Sequence, residues 1–380
     1  MNIIGIVCEY NPFHNGHVYQ INEIKKKYKD SIIVVIVSSS FTQRGEISIL
    51  NKWEKTKVAL LNDVDIVLEF PYVYSVESSD IFAEYSIKIL NELKIDTLIF
   101  GSESNNIDKL LKAADVQLNN NNFNTLVQKY LNNGVNYPTA LNNALKDLKC
   151  ASINTPNDLL GLSYIKTILN NKYNIKIETI KRTNNYHDLN LNDNIVSASN
   201  IRNKIINNED IKHMVPSCTY DILKNKKISN KYFDYLKYKI VSENNLDKYL
   251  DVDEGLGSRI TSSINKSNSL DELIKNIKTK RYTYNKISRM LNHILCSFTK
   301  DEKNRTNKLE YIRILGFSNK GKEYLNKIKK DINIPILNKY DTNYESLKIE
   351  KRVSEIYSLI YDDIMDMEIK NKPIKKDELI

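Results

Sequence analysis

Short, nearly unbroken apolar blocks punctuate the first hundred residues, and a segment with helical spacing follows each of them. The blocks at 3–8 (Ile3-Ile4-Gly5-Ile6-Val7-Cys8), 31–37, 65–69 and 97–100 are apolar at almost every position. That pattern predicts parallel strands covered on both faces rather than half-exposed ones. Between them, residues 16–27, 52–62 and 80–93 predict helices; the last carries Ile81, Tyr85, Ile89 and Leu93 along one stripe. Phe70-Pro71 stops the third strand and Gly101 closes the fourth. This alternation predicts an α/β fold with a doubly wound parallel sheet, Rossmann-like in plan. Residues 105–170 read as inserted helices, 175–180 as a fifth strand and the Asn-rich stretch 183–194 as a loop. A helix follows with Ser199 as its N-cap. Beyond about residue 210 helical periodicity dominates, as at 270–277 and 284–295. Two domains are therefore expected: 1–210, holding the sheet and its helical insertion, and 211–380, separate, mainly helical and basic.

The first strand runs out into Glu9-Tyr10-Asn11-Pro12-Phe13, a loop because Asn-Pro favours a turn and proline cannot continue a ladder. His14-Asn15-Gly16-His17 then opens the first helix. In doubly wound sheets ligands bind beyond the carboxyl ends of the strands, where free N–H groups and the positive end of a helix face an anion. Two imidazoles placed there can donate hydrogen bonds to phosphate oxygens while charge builds on them. The segment therefore points to nucleotide phosphates. The His-x-x-His spacing also suits a metal, but zinc sites need further ligands and outer partners, and no Cys or His pair stands near it in the chain. A purely structural loop is the other alternative. Gly5, inside the strand, predicts a close approach of neighbouring backbone.

Composition narrows the class without settling it. The 380 residues allow two or three domains around a large core. Lys and Arg exceed Asp and Glu by 56 to 47, a net charge of +9, which permits a polyanionic partner. Lys, Asn, Ile and Tyr are used heavily throughout, however, so charge alone leaves nucleic acid undecided. No apolar run approaches the ~20 residues that span a bilayer, and the start carries neither a signal-peptide nor a transit pattern. Cys8, Cys150, Cys218 and Cys296 are far apart, which predicts a reduced, cytoplasmic compartment. Cys8 reads as a small core residue rather than a nucleophile.

A strand, His-x-Gly-His and a late Ser197-Ala198-Ser199-Asn200-Ile201-Arg202 together resemble the HIGH-motif nucleotidyltransferase superfamily. The string 5–17, Gln43-Arg44-Gly45-Glu46, Pro156-Asn157, and Lys181-Arg182 followed by Tyr186-His187-Asp188 are more specific. With the helical C-terminal part, they resemble the bacterial tRNA(Met) cytidine acetate ligases over essentially the whole chain. The resemblance implies an enzyme that uses ATP to activate acetate as acetyl-adenylate. It then acylates the exocyclic amine of the wobble cytidine in elongator tRNA(Met), releasing AMP and pyrophosphate. His14 and His17 are implied as the catalytic pair. The implied ATP contacts are Val7, Cys8, Glu9, Tyr10, Asn11, Pro12, Phe13, His14, Asn15, Gly16, His17, Val18, Tyr19 and Gln20, with Gly101, Asn157 and Arg182. Ser197, Ser199 and Arg202 correspond to a second phosphate-binding motif; many superfamily members have Ser-Ser-Thr where this chain has Ser-Ala-Ser. Mg²⁺ is implied as a bridge between phosphates rather than a protein-held ion. Neither a membrane nor an obligate protein partner is implied.

Other positions keep alternatives open. Arg44 suits the acetate carboxylate or a surface loop charge. His187 and Asp188 suit the attacking amine or a solvated pair. Lys280, Arg281 and Arg289, with Lys278 and Lys286 around Tyr282 and Tyr284, interleave cations with aromatics as RNA contacts do; a solvated helix face reads the same way. Glu254-Gly255-Leu256-Gly257-Ser258-Arg259-Ile260 matches a family segment to which the residues assign no role. A small-molecule adenylyltransferase of the same superfamily is the competing function, and the long basic extension after Asp210 counts against it. A non-catalytic adaptor would be expected to lose an imidazole or the intervening glycine, and all three are intact.

Overall fold

The structure is a computed structural model, describing residues 1–182, 195–224, 226, 228–253, 255–361 and 365–379. The predicted alternation is present: β1 (Asn2–Cys8), α1 (Asn15–Lys27), β2 (Ser31–Ser38), α2 (Lys52–Leu61), β3 (Ile66–Phe70), a single turn α3 (Tyr72–Ser75), α4 (Ser79–Glu92) and β4 (Thr97–Ser102). The insertion consists of α5 (Ile107–Asn119), α6 (Phe123–Asn132), α7 (Tyr137–Asp147) and α8 (Pro156–Asn170), after which β5 (Lys176–Lys181) rejoins the sheet. Then come α9 (Ala198–Ile206), α10 (Ser217–Leu223), α11 (Lys231–Ser242), α12 (Leu256–Ile264), α13 (Leu270–Ile277), α14 (Tyr284–Leu295) and α15 (Lys300–Arg305). The C-terminal stretch holds β6 (Ile312–Phe317), α16 (Asn319–Ile328), β7 (Ile336–Leu337), α17 (Glu345–Tyr361), α18 (Met367–Lys370) and β8 (Ile374–Lys375).

The strands form one sheet in the order β5-β4-β1-β2-β3-β6-β7, with β8 also paired to β6. From β5 to β3 every pairing is parallel. The chain adds β2 and β3 on one side of β1 and then β4 and β5 on the other, so the carboxyl ends of β1 and β4 mark the switch point, where sheets of this kind bind ligands. Side chains alternate between the two faces as a pleat requires. Ile32, Val34 and Ile36 join the core under α4 and the insertion, while Ile33, Val35 and Val37 join that under α1 and α2. At Gly5 it is side chains rather than backbone that come close: a Cβ there would sit 2.6 Å from Ile95 Cδ1 and 3.1 Å from both Leu90 methyls. No helix among the described residues is long and apolar enough to cross a membrane.

The boundary expected at residue 210 is crossed by the sheet. Strand β6 lies antiparallel against β3, so the C-terminal part completes the sheet instead of standing apart. Its sequence, Ile312-Arg313-Ile314-Leu315-Gly316-Phe317, hides this because Arg313 looks like a solvent-facing residue. In fact Arg313 is only 1% exposed. Its guanidinium pairs with Glu69 of β3 and Glu368 of α18, and it also donates to the Glu368 carbonyl at 2.9 Å. Lys52, equally buried, meets Glu69 at 2.5 Å, Glu368 at 2.7 Å and Glu350 of α17 at 3.0 Å. Burial alone would drive the Lys52 ammonium towards neutrality, but the three carboxylates outweigh it and hold its pKa above the ordinary value. Buried charge persists only where it is paired in this way.

Candidate active site at the carboxyl ends of β1, β4 and β5

The two histidines are built into the start of α1. His14 is the N-cap, with φ −140° and ψ 174°. Its Nδ1 accepts a hydrogen bond from the Gly16 N–H at 3.0 Å, and Nδ1 of His17 accepts from the His14 N–H at 3.1 Å. The pair thus performs the reciprocal capping that Ser and Glu perform elsewhere. With Nδ1 committed as an acceptor on both rings, each neutral imidazole carries its proton on Nε2 and presents an N–H donor. The rings lie 3.9 Å apart at 32°, and Tyr10 meets His17 edge-on at 4.8 Å. Burial pushes the His14 pKa down to about 3, with the Arg182 charge adding to the effect. His17 is held well below its ordinary value by burial, then by His14 and Arg182. Both rings are therefore neutral, each with an Nε2–H to donate.

Gly16 is part of the same construction. A Cβ at this position would stand 2.8 Å from His14 Cε1 and 3.0 Å from its Nδ1. Only glycine lets the ring fold back onto the first turn of the helix.

Gly101 and Arg182 come together across β4 and β5. The Arg182 N–H donates to the Ser102 carbonyl at 3.0 Å, and its side chain passes over Gly101, where a Cβ would lie 3.3 Å from Arg182 Cγ. The guanidinium is within electrostatic reach of both histidines. His14, His17, Gly101 and Arg182, picked out separately in the sequence, thus share one crevice. Asn157 opens α8 at the same edge, with its side-chain amide donating to Glu103 Oε1 at 2.6 Å. Glu103 also accepts from the Asn157 and Asp158 N–H groups at 3.3 and 3.2 Å, so a carboxylate already caps this helix.

The 7–20 segment divides its labour. Val7 and Cys8 pack on opposite cores, and burial pushes the Cys8 thiol up, in keeping with a core residue. Glu9 Oε1 accepts from the Gln43 N–H at 2.5 Å. The Asn11 side chain bridges the next loop, accepting from the Ile49 N–H at 2.8 Å and donating to the Ile47 carbonyl at 3.3 Å. The Asn11-Pro12 peptide is cis, and Pro12 and Phe13 are buried. Asn15 is taken up by a segment that sequence reading passed over: its amide donates to the His213 carbonyl at 2.9 Å and its N–H to that of Met214 at 3.1 Å. Val18 packs on the core, Tyr19 is half-buried, and Gln20 reaches the Ile99 carbonyl at 3.5 Å.

Helix α9 corrects one expectation. Its cap is Ser197, which accepts from the Asn200 N–H at 3.3 Å; Ser199 lies inside the first turn and accepts from Arg202 at 3.4 Å. Arg202 in turn donates to the Asn11 carbonyl at 2.7 Å and to Glu46 Oε2 at 2.5 Å. Arg44 sits two positions before Glu46, where its charge lowers the pKa of Glu9 against the upward push of burial. His187 and Asp188 lie outside the described residues.

The three predicted RNA contacts separate. Lys280 and Arg281 are exposed in the connection before α14. Arg289 instead turns inward from α14 and donates to the Gln43 carbonyl at 3.5 Å, within reach of Asp251 and Glu77. One cationic face spanning all three is therefore not formed, because Arg289 falls on the stripe of α14 that packs against the 42–46 loop. Two neighbours on that stripe complete the contact: Ser288 Oγ and Asn292 Nδ2 both donate to the Gly45 carbonyl, at 2.8 and 2.7 Å. A further residue escaped notice in the sequence. Lys55 is wholly buried at the end of β2, donating to the Ser38 and Ser39 carbonyls at 2.8 and 2.9 Å. Desolvation lowers its pKa to about 7 even though Glu9 opposes the fall. A lysine in an amphipathic helix carries no signal of such a position.

Comparison with known proteins identifies the family. The model of the HIGH Nucleotidyl Transferase family matches residues 1–372. The tRNA(Met) cytidine acetate ligase of Caldicellulosiruptor bescii is 39% identical, over 98% of either chain. That of Bacillus subtilis is 35% identical, over 100% of this chain and 98% of the other. Among solved structures, apo Thermotoga maritima TmcAL superposes with a TM-score of 0.89 at 25% identity, covering 99% of both chains. The same protein bound with alpha-thio ATP gives 0.88. The chain belongs to the tRNA(Met) cytidine acetate ligases, within the HIGH nucleotidyl transferases.

Proposed function

We propose that the protein joins acetate to the exocyclic amine of the wobble cytidine of elongator tRNA(Met), with ATP consumed to AMP and pyrophosphate. Cytosine's amine is a poor nucleophile because its lone pair is delocalised into the ring, and acetate is a poor electrophile because it is an anion. Adenylation removes the second obstacle. An acetate oxygen attacks the α-phosphorus and the bond to pyrophosphate breaks. The amine nitrogen then attacks the acyl carbon, AMP leaves with the bonding pair, and the nitrogen releases a proton.

The observation that carries this reading is the neutral His14–His17 pair, with its Nε2–H donors beside Arg182 at the switch point. Charge grows on the departing pyrophosphate, and fixed donors aimed at such charge are worth about 10²–10³ in rate each. Arg182 adds a guanidinium suited to a phosphate oxygen, and Gly101 leaves room for it. Ser197, Ser199 and Arg202, joined to the 7–20 loop by the Arg202 bond to the Asn11 carbonyl, are the residues we assign to the second phosphate contact. Arg44, beside Glu9, is the residue we assign to the acetate carboxylate. His14, His17 and Arg182 offer donors that suit phosphate oxygens rather than a cation, so Mg²⁺ would be held through the nucleotide's phosphates.

Incubation with ATP, labelled acetate and bulk tRNA tests the proposal. Label recovered as acetylcytidine at the wobble position of elongator tRNA(Met), dependent on ATP, is the expected result. Label confined to a small adenylylated product would sink it.

A further inference from the structure

Two segments far apart in the chain face each other across a groove of about 820 Å³. One wall is the turn between α6 and α7, ending at Thr139; the other is the end of α13 and the connection into α14, with Lys275, Lys278, Lys280, Tyr282 and Tyr284. The three lysines are exposed, and among the described residues none of them pairs with a carboxylate, whereas the neighbouring Lys286 pairs with Asp253 at 3.3 Å. Tyr284 is 40% exposed although its hydroxyl is anchored to Asp271 at 2.6 Å. Tyr282 is half-buried, with the Lys286 ammonium 5.2 Å from its ring centre. Unpaired cations beside held, accessible rings suit a ligand that offers both phosphates and flat faces.

The groove also opens towards the crevice. Tyr284 and Ser288 stand four residues apart, one above the other on α14, and Ser288 holds the Gly45 carbonyl. Glu46, next in that loop, lies within electrostatic reach of the Tyr284 hydroxyl and bonds Arg202. One end of the groove is thus a helical turn from the loop that borders the nucleotide site.

We propose that this groove, built jointly by the insertion and the helical part, binds an unpaired stretch of RNA: the anticodon-loop nucleotides beside the reacting cytidine. The proposal rests on the ligase reading above. Phosphates lie along Lys275, Lys278 and Lys280 while bases stack on the tyrosines. A cavity of this volume is on the scale of a ligand pocket, whereas double-stranded RNA is read across two successive grooves of a long helix. The ligand is therefore single-stranded. Three such contacts contribute about −2 to the slope of log affinity against log salt.

The decisive variant lies on the insertion side, where no cation draws attention. Asn136 caps α7 by accepting from the Thr139 N–H at 3.1 Å. Thr139 is thus the third helical residue, a position where glutamate completes a capping box. Thr139→Glu therefore places a negative charge in the groove and keeps the N–H bond to the cap, exchanging the Thr139 hydroxyl bond to Asn136 Oδ1 (2.9 Å) for a capping-box carboxylate, and a melting curve checks the balance. Binding of tRNA(Met) and of an unstructured eight-nucleotide pyrimidine RNA is expected to weaken about tenfold at 0.1 M salt, with the gap narrowing as salt rises. A duplex of the same length should bind both proteins alike. Lys278→Ala with Lys280→Ala, a second variant on the opposite wall, should flatten the salt slope for the unpaired RNA. Parent-like affinity of Thr139→Glu at every salt, or an equal loss for duplex and single strand, would overturn the groove. Failure of the parent to exchange pyrophosphate with ATP in the presence of acetate would instead strike the ligase reading, leaving the binding result to judge the groove.

Discussion

Replacing Gly16 by alanine separates the catalytic role of the histidine cap from its structural one. The new Cβ would stand 2.8 Å from His14 Cε1 and 3.0 Å from Nδ1, against an ordinary 3.5 Å contact with Ile195 Cγ2. Carbon atoms rest about 3.5–4.0 Å apart, so the ring must move outward by roughly 0.5–1 Å and its Nδ1 must leave the Gly16 N–H. On stability the effects oppose each other: alanine gains about 0.4–1 kcal/mol through the unfolded chain, and the lost cap bond costs about 1 kcal/mol. The melting temperature should therefore hardly move. Catalysis has no such compensation, because the Nε2–H donor is displaced by a similar distance from the position where pyrophosphate charge develops. A misplaced donor of this kind costs about 10²–10³, or roughly 2.7–4 kcal/mol of barrier. Acetate-dependent ATP–pyrophosphate exchange, measured beside a thermal melt, reads both. An exchange rate within a few-fold of the parent's would refute the donor role. A collapse of the melting temperature with the rate following it would make the cap structural only.

Three further outcomes are expected. His14 and His17 have folded pKa values below those of the unfolded chain, so the unfolded state takes up more protons as pH falls below about 6.5; stability should be full above that and drop towards pH 3 by up to about 1.4 kcal/mol per pH unit per site. Urea midpoints at pH 7 and 5 should show a smaller drop in His14→Asn, and an unchanged drop would contradict the buried neutral ring. Arg182→Ala should weaken ATP binding at least tenfold while tRNA binding changes less, since a charged hydrogen bond is worth about 1.5–3 kcal/mol; separate titrations with the opposite ranking would move Arg182 out of the nucleotide site. Ser288→Ala with Asn292→Ala strips the buried Gly45 carbonyl of both donors, a loss of about 1–3 kcal/mol, and should raise KM for acetate more than KM for ATP; equal shifts would break the link between α14 and Arg44.

The parts legible in the sequence are those whose physics is local. Strands buried on both faces must be apolar throughout, so β1 to β4 could be marked within a residue or two. A glycine between two histidines at a strand-to-helix turn is equally local, and the two rings do cap the first turn of α1 there, over Gly16. What the sequence concealed depends on partners distant in the chain. Arg313 makes β6 look exposed until Glu69 and Glu368 are seen to neutralise it, 244 and 55 residues away. Arg289 resembles its exposed neighbours Lys280 and Arg281 in type, and only the face of α14 it occupies turns it inward. Ser197 and Ser199 are equal candidates for a cap by composition; the choice fell to the residue whose backbone is extended, with φ −67° and ψ 150°.

The 42–46 loop shows why the helical part and the sheet act as one enzyme rather than two tethered pieces. Gly45 has φ +82°, and a Cβ there would lie 2.6 Å from the Arg289 nitrogen and the Ser288 carbonyl carbon. Only glycine lets the loop and α14 meet so closely, and the contact leaves the Gly45 carbonyl buried against Ser288 and Asn292. Asn292 is itself fixed by the Tyr232 hydroxyl at 2.6 Å, so α11 and α14 set the loop together. The same five residues grip the nucleotide side through the Gln43 bond to Glu9 and the Glu46 bond to Arg202. The bonds to the Gly45 carbonyl are short and buried, where an unmade partner is costly. A shift of α14 therefore cannot leave Arg44 where it was. On the assignment of Arg44 to acetate proposed above, a loop held from both sides would keep the cation fixed, which a carboxylate with so little surface of its own requires.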